Sequence, residues 1–275
     1  MSERLSQVAA RIRGIRELGA VVNAMRGIAG ARARQARDAL RAVELYAASL
    51  SGAIGTTLAL SPRDGEVVPP ARGRALILFM AEQGFAGTFN ERLLEAVPPA
   101  SGKVELFLVG TRGAALAQER GIRPVWSGAM PAHPDSIPRL ADRIATELYA
   151  RIAAGAIGRL DALFARTATE IETRSLFPLD PKAFATAPSG NAPLLDLPPA
   201  TLLADLTADY IHAQLCDAAL HAFAAENDAR MAAMAAAHRE IGRQLAQLEM
   251  TQRIVRQDEI TAEIIELAAG EAAQG

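Results

Sequence analysis

The sequence predicts an α/β chain, α+β overall, in which a long antiparallel coiled coil of N- and C-terminal helices accompanies a central Rossmann-like α/β domain. Three observations predict it. The stretch from Arg230 to Gly270 has no proline and one internal glycine, Gly242. The first sixty residues carry a similar apolar stripe. Between them, short apolar runs alternate with helical patterns, set off by proline-rich joints at 61–73 and 178–199. Proline cannot continue a helix, so both joints read as loops or linkers. The expected segments are 1–60, 74–177 and 200–270.

In the first segment Leu5, Val8, Ile12 and Ile15 recur at spacings of three and four. Leu18, Val22, Met25 and Ala29 continue the stripe after a small phase shift. That is an amphipathic helix with a near-heptad seam. Gly14, Gly19, Gly27 and Gly30 weaken it, each by up to ~1 kcal/mol relative to alanine. Their expected use is the close approach of another backbone.

The second segment alternates strands with helices. Strands are expected at 75–81, 104–110 and 161–169, and helices at 90–97, 111–120 and 136–153. Such alternation makes a small, mostly parallel sheet covered by helices.

In the third segment Met231, Met234, His238, Ile241, Leu245, Leu248, Gln252 and Val255 follow a three-four spacing, after which the stripe shifts to Ile260, Ile264 and Leu267. A sustained seven-residue period implies a left-handed coiled coil. Seventy helical residues would extend roughly 100 Å, about twice the width of a compact globule of this chain length. Periodicity alone leaves a second arrangement open, a bundle in which this segment breaks into two or three pieces.

Composition narrows the function classes. Half the residues are hydrophobic, but aromatics are 4%. The single cysteine, Cys216, excludes an intrachain disulfide and suits a reducing compartment. Apolar runs such as 75-ALILFMA-81 are too short to span a bilayer, and no secretory signal pattern is expected. Residues 1–41 hold nine arginines against three acids, in a chain of formal charge −2. This start mimics a mitochondrial transit peptide. As a basic helix it suits nucleic acid, a membrane surface or an acidic protein. No aromatic is interleaved for base stacking, which weakens the nucleic-acid reading. Exposed ion pairs are individually weak, ~0–1 kcal/mol, so an acidic protein surface would grip such a helix without gluing it.

Candidate chemistry is sparse. The turn 82-EQGFAGTFN-90 follows a strand and precedes a helix, so its amides could face a phosphate. It is neither G-x-G-x-x-G nor a P-loop, and a tight turn with Asn90 as helix N-cap explains it as well. A small-molecule or nucleotide-binding α/β domain flanked by a helical bundle is therefore the alternative function. His133, His212, His221 and His238 form no metal pattern; His212 and Cys216 make only an i, i+4 pair, and zinc wants three or four ligands. No catalytic residue, metal or cofactor is expected.

At the chain ends the residues resemble the gamma subunit of F-type ATP synthases. That family's S-E-x-x-x-R-M-x-A-M pattern is matched by 225-AENDARMAAM-234. A later family run is matched by 248-LEMTQRIVRQDEITAEIIEL-267, which keeps Leu248, Arg256, Gln257, Ile260, Thr261, Glu263 and Glu266. Near the start, 21-VVNAMRGIAGAR-32 keeps the family's Ala24, Met25 and Arg26; 81-AEQGFAGTFN-90 resembles its glycine turn, and 175-SLFPLD-180 its Leu-Leu-Pro stretch. Because the resemblance begins near residue 5, it argues against a transit peptide.

The resemblance implies a rotor shaft, with its coiled coil inside a ring of alpha and beta subunits and its globular body on the membrane c-ring, beside the epsilon subunit. Ion flow, of protons or sodium, would turn it, and ATP chemistry would belong to the beta subunits. It implies beta-subunit contacts at Met25, Arg26, Arg256 and Gln257, and a coiled coil of the two end helices, whose seam the spacing places at Ile12, Ile15, Val22, Met231, Met234, Ile241, Leu245 and Leu248. It also implies peripheral attachment, through the complex, to the cytoplasmic side of the cell inner membrane, with no nucleic-acid partner. Departures from the family pattern include Gln252-Arg253-Ile254, Asp258 and Ala81-Glu82. They suit a divergent or alternative-type branch. A lone cysteine argues against a chloroplast-type redox switch.

Overall fold

The computed structural model describes residues 3–60, 73–98, 104–184 and 195–272. Most of the first proline-rich joint, at 61–72, and part of the second, at 185–194, lie outside the described residues. Two very long helices open and close the chain: α1 is Glu3–Leu60 and α5 is Pro199–Ala272. Neither breaks into pieces, so the bundle arrangement with a fragmented third segment is not adopted. The chain divides into two compact units, residues 1–28 with 231–275, and residues 29–230.

In the first unit α1 and α5 run antiparallel. Arg16 pairs with Glu249 at 2.7 Å, and three residues further along α1, Gly19 faces Ile241. Leu5, Ile12, Gly19 and Val22 are buried from α1, with Val8, Ile15 and Met25 half-buried between them. From α5, Met234 and Val255 are buried and Ile241, Leu245, Leu248 and Gln252 half-buried.

The seam differs from the expected one in four places. Leu18 is 50% exposed, and the stripe passes through Gly19 without a phase shift. His238 is exposed and Ala237 takes its place; Met231 also lies outside the seam, at 38% exposure. Every residue from Ile260 to Ala269 is exposed, so the late apolar stripe at Ile260, Ile264 and Leu267 is not buried in this unit.

The glycines also divide. A Cβ on Gly19 would stand 3.2 Å from Cγ2 of Ile241, so a side chain rather than a backbone occupies the space that glycine leaves. Gly14 and Gly27 have nothing within 4 Å and serve no close approach. Gly14→Ala should therefore stabilise α1 by about 0.5–1 kcal/mol through helix propensity. Thermal unfolding measures this, and a lower midpoint would contradict an open helix face there.

The second unit is built on a five-stranded sheet of order β3-β2-β1-β4-β5. Its strands are β1 Arg74–Phe79, β2 Val104–Val109, β3 Trp126–Gly128, β4 Arg159–Ala165 and β5 Ile171–Phe177. The first four are parallel and β5 is antiparallel to β4. Helices α2 Phe89–Glu95, α3 Thr111–Glu119 and α4 Ile137–Ala153 fall close to the expected spans.

Strands β3 and β5 are not among the strands the sequence predicts. The first is only three residues long, and β5 reads Ile-Glu-Thr-Arg-Ser-Leu-Phe, polar because it is a half-exposed edge. By contrast β1 is apolar from Ala75 to Phe79 because both faces are covered there. Ile77 and Phe79 pack with Ile144, Leu148, Leu215 and Phe223 of α4 and α5. Leu76, Leu78 and Met80 pack with Phe89, Leu93 and Ala117 of α2 and α3.

One feature of α1 runs against expectation. A stretch of it reaches a mean hydropathy of 1.2, enough by length and composition to cross a membrane, with 22% of that stretch buried.

Candidate functional site

At the carboxyl end of β1 the chain enters the glycine turn. Phe85 adopts φ 62, a left-handed conformation a bulky residue seldom takes, and its side chain is 68% exposed. Ahead of it the backbone is held by α5. Glu226 Oε2 accepts the Glu82 amide at 3.2 Å, and Oε1 accepts the Gln83 amide at 3.2 Å. One helical turn on, Arg230 donates to the carbonyls of Gly84 and Gln83, both at 3.1 Å, and to Asn227 Oδ1 at 3.1 Å. It also pairs with Glu226, and the two side chains are only 6% and 4% exposed.

This arrangement bears on the phosphate reading. The Glu82 and Gln83 amides, the first two of the turn, already bind a carboxylate of the same chain. The turn is therefore tied internally at its first two amides.

Neighbouring side chains extend the tie. Glu82 accepts the Thr111 amide and the Met130 amide, each at 2.9 Å, so it caps α3 and anchors the loop after β3. Its departure from the family's acid-bearing Ser-Asp pair keeps a carboxylate with an internal task. Asn90 is not an N-cap. It lies within α2, is 9% exposed, and its Oδ1 accepts the Ala81 amide at 2.8 Å.

A second constellation assembles around Cys216. Its Sγ lies 3.9 Å from His212 Nδ1, and His212 Nε2 is 3.0 Å from Asp142 Oδ1. A Cys–His–Asp row can activate a thiolate. Here burial, reinforced by Asp142 and Asp217, pushes the Cys216 thiol up to about 12. A thiol so raised stays protonated at neutral pH and is a poor nucleophile. The pair is a packed helix contact.

The residues expected to touch a partner lie in the first unit. Met25 is half-buried; Arg26 is exposed and donates to Asn23 Oδ1 at 2.9 Å. Arg256 and Gln257 are both exposed. Arg256 borders a groove of about 450 Å³ shared with Leu5, Ala9, Gln252, Ile260 and Glu263. The two pairs therefore do not converge on one pocket but stand at separate levels of the antiparallel helices.

Comparison with known proteins decides the family. The ATP synthase family model matches residues 4–273, through both long helices and the sheet. This chain belongs to the ATP synthase gamma family. The ATP synthase gamma chain of Chlorobaculum tepidum is 26% identical over 97% of each chain. That of Streptomyces griseus is 28% identical over 99% of this chain and 97% of the relative. Among solved structures, the rotor of the Euglena gracilis mitochondrial ATP synthase matches with a TM-score of 0.64 at 13% identity, covering 94% of this chain and 99% of that one.

Within the gamma family pattern, the Glu and Arg of S-E-x-x-x-R fall on Glu226 and Arg230. Sequence reasoning used them for resemblance and assigned them no task. A signal was present: an i, i+4 Glu–Arg pair, whose side chains share one helix face. Two of this gamma chain's family-like motifs, the glycine turn and the Glu–Arg pair, meet in that clamp.

Proposed function

We infer that this chain is the central-stalk gamma subunit, the rotor shaft, of an F-type ATP synthase. The family match from residue 4 to residue 273 carries this reading. The shaft couples proton or sodium ion flow to ATP synthesis or hydrolysis by turning within an alpha3-beta3 hexamer. A shaft changes its neighbours only if it binds their conformations unequally, since equal affinity for every state shifts none of them. The exposed arginines of α1 and the exposed α5 end supply unlike faces for that purpose.

In this reading the chain is non-catalytic. ATP chemistry lies on the beta subunits, which take contacts from Met25, Arg26, Arg256 and Gln257. The epsilon subunit and the c-ring are its further partners, and it is held at the cytoplasmic face of the inner membrane through the complex. The turn also matches neither a dinucleotide-binding nor a P-loop pattern, which favours this over a nucleotide-binding domain.

Arg256→Ala tests the contact. In a complex reconstituted into vesicles, ATP synthesis should fall roughly tenfold, the effect of losing one charged hydrogen bond of about 1.5 kcal/mol in the rate-limiting state. Stability of the isolated chain should move by less than ~0.5 kcal/mol, because the side chain is exposed. Undiminished synthesis would remove Arg256 from the contact surface.

A further inference from the structure

In the unit of residues 29–230, a carboxylate of α1 meets a carboxylate and an imidazole of α5. Glu44, Asp217 and His221 each place one ligand-type atom so that all lie within 4.8 Å of one another. Asp217 and His221 are i, i+4 and share a helix face; Oδ1 and Nε2 stand 3.9 Å apart.

Both are oriented by outer contacts, as metal ligands commonly are. Arg174 binds the other oxygen of Asp217, Oδ2, at 2.5 Å. The His221 ring stacks on Phe164, with centroids 5.9 Å apart and planes at 27°. The charge balance also admits a cation. Arg174 pairs with Glu172 and Asp217, and Arg166 pairs with Glu172. Glu44 has no ion-pair partner among the described residues, so one acid is left over when His221 is neutral.

We propose that Glu44, Asp217 and His221 form a binding site for a divalent first-row metal ion of the zinc type. Imidazole and carboxylate donors without thiolate suit such an ion. Zinc bonds of about 2.0–2.2 Å place tetrahedral ligands roughly 3.3 Å apart. Glu44 is exposed, so a change of its rotamer brings its carboxylate in, while Asp217 Oδ1 and His221 Nε2 close from 3.9 Å by small side-chain rotations. The adjoining cavity of about 400 Å³, which Ser51 and Tyr210 also line, has room for a water as fourth ligand. Bound metal would brace α1 against α5 within this unit.

The test uses the full chain, freed of metal by chelation, and titrates Zn²⁺ calorimetrically. Co²⁺ serves as the spectroscopic substitute. One ion per chain is expected, with Co²⁺ visible bands of a nitrogen–oxygen site. Glu44→Gln and His221→Ala should each weaken binding by at least about tenfold, while His133→Ala leaves it unchanged. Glu44→Gln sits on an exposed helix face, so it reads the site even if His221→Ala disturbs packing. Absence of saturable binding, or equal titration of wild type and Glu44→Gln, overturns the assignment.

Discussion

Arg230→Ala is expected to destabilise the chain by about 3–5 kcal/mol, the range for stripping one partner from a buried ion pair. The reason is what the substitution strands. Glu226, 4% exposed beside Arg230, would keep only the Glu82 and Gln83 amides among its partners in the described residues. The carbonyls of Gln83 and Gly84 would lose their donor at the same time. Arg230→Lys should recover only part of the loss, because a point charge cannot serve two carbonyls, an amide oxygen and a carboxylate from one plane. Chemical denaturation of the three proteins measures this. A loss under about 1 kcal/mol for the alanine variant would mean that α5 does not hold the turn. The companion change, Glu226→Ala, should also free the Glu82 and Gln83 amides to exchange with solvent faster.

Leu245→Pro should cost about 3 kcal/mol or more in the antiparallel unit. Residue 245 is interior to α5 and half-buried on the seam. Proline removes the amide that donates to the Ile241 carbonyl and drives its ring against that carbonyl. Ile241 is the residue that fills the space above Gly19, so the damage reaches α1 directly. Leu245→Ala separates the causes, since it deletes seam contact while keeping the backbone bond. Far-UV circular dichroism should show lost helix for proline and near-native helix for alanine. Equal helix content in the two variants would show that α5 is not continuous through this position.

Local patterns made the largest elements readable. The three-four spacing of Leu5, Val8, Ile12 and Ile15 reports one helix face whatever lies opposite it. The unbroken run 75-ALILFMA-81 reports a strand covered on both sides. Strand β5 escaped because an edge strand can be polar, and Ile171–Phe177 obeys no local rule that separates it from a loop. The phase at Leu18 misled for a related reason: a leucine outranks a glycine on any hydrophobic scale. Yet the seam needed the smaller residue, since Ile241 already fills the space.

The sequence by itself determined two long helices with a shared apolar stripe, a covered parallel sheet between them, and the family whose motifs it carries. The tertiary structure alone decided that Glu226 holds the first two amides of the glycine turn, that Cys216 is too deeply buried to act as a thiolate, and that Glu44 stands beside Asp217 and His221. Periodicity along a chain records which side of an element avoids water. It does not record which distant residue arrives there, and the chemistry of a buried carboxylate, thiol or imidazole is set by that arrival.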